Sequence, residues 1–245
     1  MKLHILGSNS LGNCYILETA TEALIVEAGV RMANVKKALR WQLRKVVGAV
    51  VTHEHNDHAS HVTDVAKSGI VVLALESVFK THNLDGKPFT KPITAGKGYK
   101  VGGFKILPLA VKHDCPCVGY VIDHPDMGRL LFITDTITFD YIVPNCNVIM
   151  IEANYADDIV AENIASGEMP EAMRPRLLNS HMEIGQTKAI LAENDLSHVD
   201  NIILIHLSSG NSDEERFVRE VKELTGKPTV AADADMTIDI SRNPY

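Results

Sequence analysis

The sequence predicts an α/β fold in which two β-sheets pack together with helices on their outer sides. Three observations predict it. Apolar, β-branched runs of strand length recur along the whole chain and alternate with amphipathic stretches of helical spacing. Several of those runs end abruptly in a His or an Asp. The 245 residues contain no linker, repeat or low-complexity tract, which suits a single domain spanning residues 1–245.

Met1 to Gly7 reads as a strand, and Cys14–Leu17 and Ala23–Val26 as two more around a turn at Thr19–Thr21. Asn34 to Lys45 has helical spacing, with Val35, Ala38, Leu39 and Leu43 on one side. Val46–Val51 is a buried strand by its β-branched content, Val62–Lys67 a helix and Ile70–Leu73 a strand. Lys80 to Lys100 is rich in Lys, Gly, Pro and Thr and predicts a long loop or hairpin. Strands are expected at Phe104–Val111, Val118–Ile122, Leu130–Ile133 and Val148–Glu152, then an irregular, partly helical stretch over 155–182. Glu183–Asn194 predicts a helix, and Asn201–Leu207 a strand carrying His206. Ser212-Asp213-Glu214-Glu215 predicts a capping box opening a helix that Gly226 closes, before a last strand at Thr229–Ala232.

Composition narrows the class. An apolar fraction of 45% and a charged fraction of 22% are those of a globular protein. The longest apolar runs, such as Ile202–Ile205, are far too short to span a bilayer, and the N-terminus lacks the apolar region of a signal peptide. A cytoplasmic location with no membrane partner is the expectation. The four cysteines, Cys14, Cys115, Cys117 and Cys146, do not form a disulfide framework. Cys115-Pro116-Cys117 reads as two small loop residues rather than a metal clip, whose spacer is usually two to four residues. A net charge of −7 argues against coating nucleic acid by bulk electrostatics. Lys36, Arg40 and Arg44 make one basic helical face, and Lys87, Lys91, Lys97, Lys100 and Lys105 a loose cluster. Both read first as solvated surface and second as phosphate contacts.

The chemistry concentrates in His53-Glu54-His55-Asn56-Asp57-His58, directly after a buried strand. Imidazole and carboxylate together suit zinc, manganese or iron. In an extended loop His53, His55 and Asp57 share one side and His58 turns to the other, an arrangement for two ions. His53 and His55 would then hold one, Asp57 and His58 the second. The helical zinc motif His-Glu-x-x-His fails here, because position 57 is Asp and the segment is not expected to be helical.

The string His53-x-His55-x-Asp57-His58 resembles the motif of the metallo-β-lactamase superfamily. So does the order of the residues downstream: a lone His113, then Phe132-Ile133-Thr134-Asp135, then Ile203-Leu204-Ile205-His206. The resemblance implies a four-layer αββα sandwich and two divalent ions per chain, zinc or manganese, with iron a further candidate. It implies one ion on His53, His55, His113 and Asp135, and a second on Asp57, His58, Asp135 and His206, Asp135 bridging. His4, His61, His82, His124 and His198 match no motif position.

Shorter strings point within the superfamily. Ser8-Asn9-Ser10-Leu11-Gly12-Asn13-Cys14, His113-Asp114, Val118-Gly119-Tyr120, Glu152-Ala153-Asn154-Tyr155, Arg176–His181 and His206-Leu207-Ser208 with Asn211 are similar to segments of the YycJ/WalJ-type exonucleases. Glu27-Ala28-Gly29 departs from that group's Asp-Ala-Gly, as do Tyr155, Ser209-Gly210-Asn211 and the Cys-Pro-Cys. His181 occupies the place of the extra His found in phosphodiesterase members. The implied function is a metal-dependent phosphodiesterase or nuclease that uses a hydroxide activated by two metals. His181 would be the proton donor or phosphate ligand, Asp57 would orient the water, and the substrate would be nucleic acid or a small phosphodiester. The alternatives are a PhnP-like cyclic phosphodiesterase, a lactonase or thioesterase, and a metal-binding protein without catalysis.

Overall fold

The computed structural model describes residues 1–242. Its first sheet begins with β1 (Lys2–Asn9), β2 (Gly12–Glu18), β3 (Ala23–Val26), β4 (Val46–Val51), β5 (Val72–Ala74) and β6 (Thr90–Pro92). The second holds β7 (Tyr99–Val101), β8 (Phe104–Val111), β9 (Cys117–His124), β10 (Gly128–Ile133), β11 (Val148–Glu152), β12 (Asn201–Ile205) and β13 (Thr229–Ala231). A last strand, β14 (Thr237–Asp239), returns to the first sheet beside β1. The orders are β14-β1-β2-β3-β4-β5-β6 and β13-β12-β11-β10-β9-β8-β7.

Alternation along each strand sorts side chains into three apolar layers. Leu24, Val26 and Val50 face Phe104, Tyr120, Phe132, Met150 and Ile203 between the sheets, where Tyr15 and Phe132 meet edge-on at 5.5 Å. The odd partners Ala23, Ile25, Ala49 and Val51 turn outward to α1 (Met32–Ala38), α2 (Asn56–Ala59), α3 (Val62–Lys67) and α4 (Glu76–Thr81). Leu131, Ile149, Ile151 and Leu204 face the helical side of the second sheet, where α7 (Ile184–Glu193) and α8 (Glu214–Thr225) pack. Between α4 and α7 in the chain lie α5 (Asp157–Ser166) and α6 (Arg174–Ser180). This is the αββα sandwich. Each fully buried Leu, Ile or Phe contributes roughly 1.5–3 kcal/mol of transfer free energy, so the sheets are rigid supports for the loops that leave them.

Strand direction decides where those loops gather. β3, β4, β5 and β6 run parallel, as do β10, β11, β12 and β13, and β8 runs with β10 because β9 opposes both. Their carboxyl ends deliver Glu27, His53, His113, Asp135, Glu152 and His206. Crevices at the carboxyl ends of parallel strands are where such folds place ligands.

Four details differ from the sequence reading. The helix expected through Lys45 stops at Ala38, because Arg40 (φ 50°) and Trp41 (φ 64°) turn left-handed and Glu18 captures Arg40 and Lys45. Lys36, Arg40 and Arg44 therefore do not share a helical face. The capping residue of α8 is Asp213, whose carboxylate accepts from Arg216 N at 2.9 Å, while Ser212 Oγ donates to Ser208 O. The stretch 155–182 is partly helical as expected, with α5 and α6, but the expected loop or hairpin from 80 to 100 instead contains β6, which pairs parallel with β5. Asn56–Ala59 is a single helical turn after all, but His53 precedes it, so His53 and Asp57 share no helical face. Among the described residues no helix is long and apolar enough to cross a membrane.

Candidate metal centre

The loop after β4 is shaped from behind. Ala28 N donates to His58 O at 2.7 Å, and His61 N to Ala28 O at 2.9 Å. Gly29 lies so close to the loop that an added Cβ would sit 1.8 Å from Asp57 O, so no larger residue fits there without moving backbone. Glu27, wholly buried at φ 68°, accepts from Thr52 N at 3.3 Å and lies 3.5 Å from His58 Nδ1. Asn13 Nδ2 reaches both His58 Nε2 (3.1 Å) and Asp57 Oδ2 (3.3 Å). The single turn of α2, rather than strand alternation, carries Asp57 and His58 round from His53 and His55.

The histidines and carboxylates then fall into overlapping groups whose ligand atoms lie within 4.8 Å of one another. His53, His55 and His113 form one, together with Cys115. Asp57, His58 and His206 form a second. Asp135 joins His53 and His58, with its Oδ2 2.9 Å from His58 Nε2 and 3.6 Å from His206 Nδ1. It therefore stands between the two groups, as a shared carboxylate would. Asp135 (φ 50°) and His206 (φ 54°) are both left-handed non-glycine residues immediately beyond strand ends. Such backbone strain costs of order 1–3 kcal/mol per residue and concentrates at functional sites.

The electrostatics fit a cation. His53 Nδ1 is hydrogen bonded to Thr52 Oγ1 at 2.9 Å, and its Nε2 is buried with no partner. Burial, with His58 beside it, holds the His53 imidazole well below its usual range, so it is neutral and keeps a free lone pair. An unpartnered buried acceptor is costly unless something takes it. Burial also lowers His113. Burial opposes charge on His58 and His206 as well, but Asp135 and Glu27 outweigh it at His58, and Asp135, Asp57 and Glu152 raise His206 to about 10. Asp57 is held well below the carboxylate range against burial by His206 and His58, and Asp135 by the same two histidines. Two protonated rings thus balance the carboxylates, positive charge that a bound dication would replace with release of protons.

Beside this cluster His181 caps the end of α6. Its Nδ1 donates to Glu152 Oε1 at 2.8 Å and lies 3.4 Å from Asp135 Oδ1. Burial works against its charge, but Glu152 and Asp135 hold its pKa above the usual value. The His181 ring lines a cavity of about 450 Å³ together with His206, Arg176, Asn154, Ser208 and Asn211. Glu152, wholly buried, ties the two halves together: Oε1 also accepts from His206 Nδ1 at 3.1 Å, and Oε2 from Thr136 N and Met182 N.

All eight residues singled out from sequence, His53, His55, Asp57, His58, His113, Asp135, His181 and His206, meet at this pole. Sequence reasoning gave no role to Glu152, Glu27 or Asn13, and set Cys115 aside as a loop residue. A carboxylate ending the wholly apolar run Val148–Ile151 was the available sign for Glu152. Of the remaining histidines, His4 and His124 pair with Glu18 and Glu22, and His82 Nε2 lies 3.0 Å from Glu54 O. Lys100 and Lys105 line a separate cavity with Arg129 and Arg242 near the starts of β8 and β10, away from the cluster.

A family model described as the metallo-β-lactamase superfamily matches residues 8–140. The exodeoxyribonuclease YycJ of Bacillus anthracis is 26% identical over 231 residues, covering 88% of this chain and 86% of that one. The metallo-β-lactamase fold protein YhfI of Bacillus subtilis superposes with a TM-score of 0.73 at 17% identity, covering 97% and 98% of the two chains. A diphosphatase of the PhnP family superposes at 0.65 with 13% identity, covering 97% of each chain. These two structural likenesses show the shared fold.

Proposed function

The chain belongs to the metallo-β-lactamase superfamily and is a metal-dependent hydrolase, and within that class we propose that it cleaves phosphodiester bonds, with a nucleic acid strand as substrate. The observation that carries the proposal is His181, held by Glu152 at the wall of the cavity next to the ligand cluster. Expulsion of a sugar alkoxide from phosphorus calls for a protonated group at that position, whereas the thiolate expelled from a thioester leaves without one. The similarity to an enzyme named as an exodeoxyribonuclease supports the same reading.

His53, His55 and His113 would hold one divalent ion and Asp57, His58 and His206 a second, with Asp135 shared; zinc and manganese suit these donors, and iron is compatible. Such ions supply an activated water at neutral pH and charge for the phosphoryl oxygens. The chain's own residues do the rest. Asp57, whose Oδ2 lies 3.2 Å from His206 Nε2, would orient the water. His181 presents Nε2 to the leaving oxygen, because Nδ1 is committed to Glu152. Arg176 and the amides of Asn154 and Asn211 line the cavity and offer donors to a phosphate or sugar.

The test is a panel on protein reconstituted with Zn²⁺ or Mn²⁺: 5′-labelled DNA, RNA, bis-p-nitrophenyl phosphate and a lactone. Phosphodiester cleavage that chelator abolishes is expected. Fast lactone opening with every phosphodiester untouched would overturn the proposal in favour of an ester-class hydrolase.

A further inference from the structure

We propose that Cys115 is a further protein ligand, beside the shared Asp135, of the ion held by His53, His55 and His113. The proposal rests on the reading that the cluster holds metal, and adds a donor that the superfamily pattern read from the sequence does not contain.

The geometry is specific. The Cys115 Sγ lies within 4.8 Å of ring nitrogens from all three histidines, which in turn surround one another with ring centres 4.7–4.9 Å apart. His53 Nε2, buried and unpartnered, belongs to the same group. His113 and Cys115 leave the same connection between β8 and β9 two residues apart, the spacing that puts neighbouring side chains of an extended segment on one side. Pro116 restricts the backbone of Cys115 to extended conformations, and Cys117, buried as the first residue of β9, anchors the far end. The thiol is therefore presented by a stiff segment.

A thiolate added to three imidazoles and the shared Asp135 shifts the preference of this position away from manganese, which prefers oxygen, towards zinc or cobalt. The competing ligand is Asp114, whose Oδ1 lies 3.3 Å from His55 Nε2 and 3.2 Å from His113 Nε2 at the exposed rim. Thiolate and carboxylate differ in one readable property. Only a thiolate gives an intense near-ultraviolet charge-transfer band with Co²⁺.

The experiment titrates metal-free full-length protein with Co²⁺, following the absorption spectrum and the bound metal by elemental analysis. The wild type is expected to show the charge-transfer band, C115S to lose it while still binding cobalt, and C117S to keep it. Iodoacetamide is expected to modify Cys115 in the metal-free wild type and to spare it after Zn²⁺ loading; Cys14, Cys117 and Cys146 are buried and do not compete. Cobalt bound by the wild type without the band, or a band that C117S abolishes and C115S keeps, overturns the Cys115 ligand and leaves the metal centre standing. Failure of the wild type to bind cobalt or zinc at all overturns both.

Discussion

Replacing Glu152 with Gln removes one charge and almost no volume, at the point where the proposed acid His181 and the candidate metal cluster meet. The carboxylate accepts four donors: His181 Nδ1 (2.8 Å) and His206 Nδ1 (3.1 Å) on one oxygen, and Thr136 N (3.2 Å) and Met182 N (3.3 Å) on the other. An amide has one acceptor oxygen, so its NH₂ must face either the two rings or the two backbone groups. Each buried donor left unpaired costs roughly 1–3 kcal/mol, and a chain of this size loses about 2–4 °C in Tm per kcal/mol. The functional effect separates into two readouts. Loss of an outer partner of a metal-binding His typically weakens metal affinity by about 10–100-fold, here at the ion that His206 would hold. His181 loses the neighbour that raises its pKa. An acid is active only while protonated, so activity falls as pH rises through that pKa. With the pKa lowered, the fall comes at lower pH. The assay is a pH–rate profile of strand cleavage under saturating metal, beside zinc titration with a chromophoric chelator. The basic limb is expected to move to lower pH for the strand and stay put for bis-p-nitrophenyl phosphate. An unmoved basic limb with wild-type metal affinity would refute the assignment of Glu152 as the residue that positions both histidines.

Asp135→Ala is expected to lose both ions and His206→Ala mainly one, read by elemental analysis after equilibrium dialysis; equal losses would contradict a shared Asp135. His181→Ala is expected to keep its metal and slow strand cleavage by about 10²–10⁴-fold, with a much smaller effect on bis-p-nitrophenyl phosphate, whose leaving group needs no proton. Equal slowing of both substrates would make His181 a phosphate ligand instead. Gly29→Ala is expected to disturb the Asp57–His58 loop through a backbone clash of the overpacking kind, roughly 1–3 kcal/mol, and to lower metal affinity; wild-type Tm and affinity would show that Asp57 is not set by that contact.

Much of this was legible in the sequence, for physical reasons that differ by residue. His53 to His58 stood out because ligand-type side chains crowd six positions after a buried strand, and chance seldom does that. His206 stood out because a His ending Ile202–Ile205 is costly to bury without a partner. The layers could be read from strand alternation and helical spacing. What stayed hidden depends on backbone conformation or on approach through space. Arg40 and Trp41 are not glycines, so nothing marked the left-handed turn that ends α1. Cys115 lies two residues from His113, but its nearness to His53 and His55 exists only after β8 and β9 pair and pack against β4.

Glu152 shows where local reading stops. At the end of Val148–Ile151 a Glu looks like a charge marking a strand's exit to solvent, and most such residues are that. Here the exit is covered by α6 and the start of α7, and the carboxylate is sealed in. A buried carboxylate is tolerable only with donors around it, and the structure supplies four. Two of these are the imidazoles that the sequence had already singled out for separate tasks. The same carboxylate that holds His181 above its usual pKa also accepts from the ring of His206, so a change at either histidine alters the electrostatic setting of the other. The coupling lies in a residue whose importance only burial and partners reveal.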